Sequence, residues 1–211
     1  MAKKCVNRDK PQYFKYGKKE LEWLKSRDPA LGAAIGRIGH IRRAVNPDLF
    51  SALINSIVGQ QISSKAQKTV WGRIEERFKP MTAETIGSVA TEELQACGIS
   101  MKKAQYIKGI ADAVIDGSLD MAALYKLTDE EICKRLVQIK GIGIWTAEML
   151  MIFSMQRKDI LSWGDLAIQR GLRVLYKRED ISRELFDKYK QRYSPYASVA
   201  SLYLWAISAE S

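Results

Sequence analysis

The chain is poor in the residues that most often build a metal or nucleophile site. Among its 211 residues are one histidine, His40, and three cysteines, Cys5, Cys97 and Cys133. The cysteines are scattered, odd in number and without Cys-x-x-Cys spacing, which argues against disulfides, a zinc site and an iron–sulfur cluster. His40 stands just before a basic pair and reads as a surface residue with no catalytic role. Long apolar runs are missing too. The longest, near residues 149–153, is far too short to span a bilayer, and the basic N-terminus lacks the apolar stretch of a secretory signal. The expectation is an intracellular, cytoplasmic protein with no membrane partner. Acidic residues are also few, 24 against 34 lysines and arginines, for a net charge of +10. That balance suits a polyanion partner, because cations that neutralise phosphates gain from counterion release. Charge alone does not identify one.

Period-two alternation between turn signals is likewise absent, whereas helical periodicity runs through most of the chain, so the fold class is all-α. A short helix is expected over 18–25 with Leu21 and Leu24 inward, followed by one that Asp28 caps and whose stripe is Leu31, Ile35 and Ile38. Pro47 after Asn46 reads as the first position of a helix over 48–58. Ser63 or Ser64 caps a basic helix that Pro80 stops, and two brief helices, 83–89 and 92–96, each follow a threonine. Ser100 opens a helix over 101–116, and Thr128-Asp-Glu-Glu131 is a capping box. Residues 144–155 are apolar on nearly every side and are expected to form the buried central helix of their lobe. Basic helices over 165–177 and 182–192 precede a last one, 196–208, whose small residues allow close approach.

Gly141 and Gly143 bracket Ile142 between two of these helices. Taken alone, Gly-x-Gly is most often an ordinary αα-corner. It also permits a turn whose N–H groups point outward at a helix N-terminus, an anion site. The longer pattern Lys140-Gly-Ile-Gly-Ile-Trp-Thr-Ala resembles the helix-hairpin-helix of the base-excision DNA glycosylase superfamily. Ser56-Ile-Val-Gly-Gln-Gln-Ile-Ser63, Gly164-Asp-Leu-Ala-Ile-Gln-Arg-Gly171 and Pro195-Tyr-Ala-Ser-Val-Ala-Ser-Leu-Tyr-Leu-Trp205 occur in the family's order and spacing. The likeness is strongest to the alkylbase, 3-methyladenine type II group, in a short form without an N-terminal β-rich domain.

The resemblance implies a two-lobed helix-hairpin-helix glycosylase fold with the active site in the cleft between lobes. Residues 40–128 are expected to form one lobe, and 1–39 with 129–211 the other, holding the hairpin 136–148 and Asp165. Asp165 follows Trp163-Gly164 and opens a helix, where aspartate is a good N-cap and is held ionised. It matches the family's catalytic aspartate, whose fixed charge stabilises an oxocarbenium-like sugar. Glu148 is a rival acid, placed inside a helix where a surface or packing role suits it better. The family commonly has a second acid just before the catalytic one, and here that residue is Gly164.

By the same resemblance, Trp145 and Trp205 are pocket aromatics for an alkylated purine. Tyr196 is a weaker candidate, and Met149 stands where a pocket tyrosine is common. Gln61 matches the side chain that fills the gap left by the flipped nucleotide. Gln60, Lys140, Gly141, Ile142, Gly143 and Thr146 complete the expected DNA contacts, with no cofactor beyond a monovalent cation at the hairpin when DNA is bound. Members that also nick DNA carry a lysine two residues after the hairpin's last glycine. That position is Trp145, so the expected enzyme is a monofunctional glycosylase. It would be a monomer acting on double-stranded damaged DNA, nucleoid-associated in a bacterium, and would hydrolyse N-glycosidic bonds of alkylated purines to leave an abasic site. The alternatives are a non-catalytic helix-hairpin-helix module that binds DNA structure or damage, and a glycosylase–lyase, which borohydride would trap.

Overall fold

A computed structural model of the chain describes residues 11–210. In order along it come β1 (Gln12–Tyr13), α1 (Lys18–Arg27), α2 (Pro29–Ile38) and β2 (Ala44–Val45). There follow α3 (Leu49–Gly59), α4 (Ser64–Arg77), α5 (Ala83–Ser88), α6 (Thr91–Gln95), α7 (Met101–Ile115) and α8 (Met121–Leu124). The last five are α9 (Asp129–Leu136), α10 (Ile144–Phe153), α11 (Leu166–Tyr176), α12 (Arg183–Tyr193) and α13 (Ala197–Ala209). The predominantly helical reading holds. The one departure is the ribbon in which Gln12 faces Val45 and Tyr13 faces Ala44, antiparallel and too short to give an alternation signal. None of the described helices is long and apolar enough to cross a membrane.

The chain folds as two units, one of residues 48–155 and one made of the residues up to Pro47 with those from Gln156 onward. The discontinuous second unit was expected, but its boundary was not. Helix α9, the hairpin and α10 belong with the middle of the chain, apart from Asp165, because α10 packs on α3 and α9. A side-chain hydrogen bond from Gln60 Nε2 to the Gly141 carbonyl, 2.7 Å, ties the turn to the end of α3.

Caps explain most of the element starts. Asp28 accepts from Leu31 N, Ser63 from Ala66 N, Ser100 from Lys103 N, and Thr128 and Glu131 form the reciprocal box. Two starts differ from expectation. Asp48, not Asn46, caps α3 by accepting from Ser51 N at 3.2 Å, which leaves Pro47 outside the helix. Helix α6 is capped at Ala90, whose N–H donates to Glu93, and Thr91 becomes its first residue.

In the middle unit α3 supplies Leu53, Ile54, Ile57 and Val58, and α7 supplies Ala104, Ile107, Ile110 and Ala111, all without exposure. In the other unit the centre is α13, where Ala197, Val199, Ala200, Tyr203 and Leu204 are fully buried. Its small residues do permit close approach. A Cβ at Gly171 of α11 would overlap the Leu204 carbonyl, and Ser198 and Ser201 of α13 hydrogen-bond the backbone of the segment before α11.

Candidate functional site

The turn joining α9 to α10 requires one of its two glycines. Gly141 has φ +91°, and a Cβ there would run into the Tyr106 ring of α7. Gly143 is different. Its φ of −92° suits any residue and a Cβ would meet nothing, so glycine there keeps the approach to α10 open rather than permitting the bend. Gly143 is the N-cap of α10 and has no side chain with which to cap it. A helix start of this kind, with the dipole behind it, favours an anion.

Of the residues expected to contact DNA here, Lys140, Gly143 and Gln61 are exposed. Ile142 and Thr146 are not, and their side chains are buried. Ile142 anchors the turn as a core residue, and its N–H donates to the Ile139 carbonyl at 3.0 Å. Gln60 is half-buried, and one N–H of its amide donates to the Gly141 carbonyl. A cation at the hairpin would have to bind turn carbonyls, and two of these, Ile139 and Gly141, already accept hydrogen bonds. Each of those carbonyls keeps a second lone pair, and the anion site rests on N–H groups and Lys140. Beside the hairpin a cavity of about 980 Å³ has Lys102, Arg135 and Lys140 on its wall and no acidic residue.

Helix α10 is not buried all round as its composition suggested. Ala147, Leu150, Met151 and Ile152 are core, but in its first turn Ile144 is 63% and Trp145 48% exposed. Burying one such side chain gains about 2 kcal/mol. The first turn of α10 forgoes this twice and presents two adjacent apolar side chains to solvent. Met149 lies one turn further on and is half-buried, as is Glu148.

In the other unit Asp165 is the N-cap of α11, 7% exposed. Its Oδ1 accepts from Ala167 N at 2.9 Å and Ile168 N at 3.0 Å, which fixes the plane of the carboxylate. Next to Gly164, the loop is braced from within α11. Gln169 Nε2 donates to the Trp163 carbonyl at 2.6 Å. The Trp163 ring meets Phe186 edge-on at 5.1 Å, with Arg183 over it at 5.2 Å. Gln169 stands inside the motif quoted for Asp165, but nothing in the sequence marks it as the brace for Gly164. Trp205 is half-buried on α13. Tyr196 packs against Trp23 at 6.3 Å with Lys158 above its ring at 5.9 Å. His40 stacks on Tyr16 at 4.5 Å, at the surface.

A family model described as HhH-GPD superfamily base excision DNA repair protein matches residues 54–195, from α3 to the turn before α13. DNA-3-methyladenine glycosylase 1 of Schizosaccharomyces pombe is 36% identical over 164 residues, covering 75% of this chain and 72% of that protein. A crystal structure of a DNA-3-methyladenine glycosidase from Bacillus halodurans superposes with TM-score 0.85 at 35% identity, over 93% of this chain and 92% of that one. A 3-methyladenine DNA glycosylase of Schizosaccharomyces pombe, in complex with abasic DNA, superposes with TM-score 0.75 at 32% identity, over 89% and 95%. With the match reaching from the Gly-Gln-Gln loop through the hairpin and Asp165, the chain belongs to the HhH-GPD superfamily of base excision DNA repair proteins.

Proposed function

We propose that the protein is a monofunctional DNA glycosylase that removes alkylated purines of the 3-methyladenine and 7-methylguanine type from duplex DNA. The observation that carries this reading is the Asp165 carboxylate, held in one orientation at the mouth of α11 by two backbone N–H groups. The carboxylate faces the N-terminus of α11, where the helix dipole favours negative charge. In the proposed reaction the bond from C1′ to the purine nitrogen breaks, and the base leaves with the bonding electrons. The sugar becomes oxocarbenium-like, and Asp165 stabilises charge that exists mainly in the transition state. Water adds to C1′ and loses a proton, leaving an abasic site and the free base.

Alkylation helps twice, since a cationic purine is a better leaving group and is attracted to an electron-rich ring. Trp145 presents such a ring, half-exposed, and Trp205 is the second aromatic assigned to the extruded base. Gln61, exposed and one residue beyond α3's C-cap, is assigned to the gap in the stack. The hairpin holds a backbone phosphate through Lys140 and the start of α10.

The test is release of free base from methylated duplex DNA, with a parallel borohydride trapping reaction. Base release with alkali-labile abasic product and no trapped adduct is expected, because Trp145 occupies the Schiff-base lysine position. Tight binding with no release would instead support the non-catalytic module, and a trapped adduct would support a lyase. The hairpin has its own test. Gly143→Glu introduces a carboxylate where a side chain meets no atom, so the fold should survive. Affinity for DNA of any sequence should fall about tenfold or more, with a shallower salt dependence. Unchanged affinity and slope would remove the hairpin from the interface.

A further inference from the structure

Two elements given DNA roles above, the Gln61 loop and the hairpin, are 80 residues apart in sequence but share one support. That support is α7. Lys103 reaches beneath the loop, and its Nζ donates to the carbonyls of Val58 at 2.9 Å and Gln60 at 2.6 Å. One turn along the same helix, the Tyr106 ring lies under Gly141 where only a glycine leaves it room. Gln60 closes the circuit, with its backbone carbonyl on Lys103 and its side-chain amide on the Gly141 carbonyl at 2.7 Å. The next residue, Gln61, sits at φ +57°, a left-handed conformation that is uncommon for a non-glycine residue. From the other side, the Gln67 side chain fills the space a Cβ at Gly59 would take and donates to Asn55.

We propose that Lys103 and Gln60 are positioning residues for base extrusion: together they hold the Gln61 side chain in register with the phosphate-gripping hairpin, so that both DNA contacts are presented as one rigid piece. The bland alternative is a lysine that satisfies the last carbonyls of α3 and contributes only to stability. The two differ in what they predict. A stability role touches all activities alike, whereas a positioning role leaves backbone binding intact and weakens only the step in which the nucleotide leaves the stack. Small misplacements at such a step are costly. The inference rests on the proposed roles of Gln61 and the hairpin.

The experiment compares Lys103→Met, Lys103→Arg, Gln60→Met and Gln61→Ala, each alone, and Lys103→Met combined with Gln61→Ala, in the full chain. Three quantities are read: affinity for undamaged duplex, fluorescence of 2-aminopurine placed beside the lesion, and single-turnover base release. For Lys103→Met and Gln60→Met the expectation is undamaged-DNA affinity within about twofold, a weakened 2-aminopurine signal, and base release slowed about tenfold or more. Lys103→Arg, which keeps two donors and the charge, should recover most of the rate. Because Lys103 acts through Gln61, adding Lys103→Met to Gln61→Ala should cost little more than Gln61→Ala alone.

Additive losses in the double variant, or equal losses of affinity and rate, would overturn the proposal in favour of plain stability. So would wild-type extrusion in Lys103→Met. Failure of the underlying reading looks different: wild-type protein would release no base, or Gln61→Ala would extrude and release normally.

Discussion

Asp165→Asn should bind damaged DNA as well as the native protein does and yet release base slower by about a thousandfold, the scale of losing one preorganised electrostatic group. The substitution is chosen for what it leaves alone. Oδ1 of Asp165 accepts from Ala167 N and Ile168 N, and an asparagine side-chain oxygen can accept the same two bonds. Helix α11 therefore keeps its cap and the loop keeps its shape, while the negative charge is removed. Asp165→Ala would be a poorer probe. It removes charge and cap together, and the cap alone is worth about 1 kcal/mol of stability. Near-native release by Asp165→Asn in a single-turnover assay would take the carboxylate out of the mechanism and direct attention to Glu148. A large loss of DNA affinity would mean that Asp165 acts in binding.

What the sequence allowed one to read follows from how local each signal is. The box of Thr128 and Glu131, the Asp28 cap and the Asp165 cap all close within three residues, and all are present as expected. The start of α3 misled because Pro47 offered a plausible first position, while Asp48 beside it made the stronger cap. Helix α10 misled for a deeper reason. Apolar composition records that a side chain avoids water somewhere, and does not distinguish a core from a surface kept for a ligand. Ile144 and Trp145 are apolar and yet exposed, where composition alone had placed them in the core.

The placement of the hairpin in the middle unit, and the work of Gln60 and Lys103, were out of reach because their partners lie 81 and 43 residues away. Motif order located Asp165, Gln61 and the hairpin through likeness to a family. The residues that hold them in place, Gln169, Tyr106 and Lys103, are ordinary polar and aromatic positions until the chain is folded.

The second large effect lies in the unit that carries Asp165, at the opposite end of α11. Asp28 is 1% exposed and serves three helices at once. Its Oδ1 caps α2 through Leu31 N at 2.9 Å, and its Oδ2 accepts from Arg192 of α12 at 2.7 Å and from the Tyr176 hydroxyl, at the end of α11, at 2.5 Å. Tyr176 also bonds the Tyr193 hydroxyl at 2.6 Å and stacks on Tyr189 at 4.2 Å. Burial pushes both phenols well above the usual tyrosine range, so they remain protonated donors. Asp28 in turn raises the Arg192 guanidinium.

Arg192→Met strands the buried carboxylate without its cation. Loss of one partner of a buried pair costs about 3–5 kcal/mol, and because Arg192 is itself 43% exposed the lower figure applies. For a chain of this size about 3 kcal/mol lowers Tm by about 6–12 °C. Adding Asp28→Asn keeps an N-cap acceptor and removes the stranded charge, so the double variant should be more stable than Arg192→Met alone. A Tm within about a degree of native for Arg192→Met would reduce the pair to a surface contact of the kind worth little. Base release per folded molecule, measured well below the transition, should stay near native, since α11 spans about 16 Å and the cap at Asp165 closes locally at its other end. A large loss of rate in the folded variant would show that the network also aims the carboxylate.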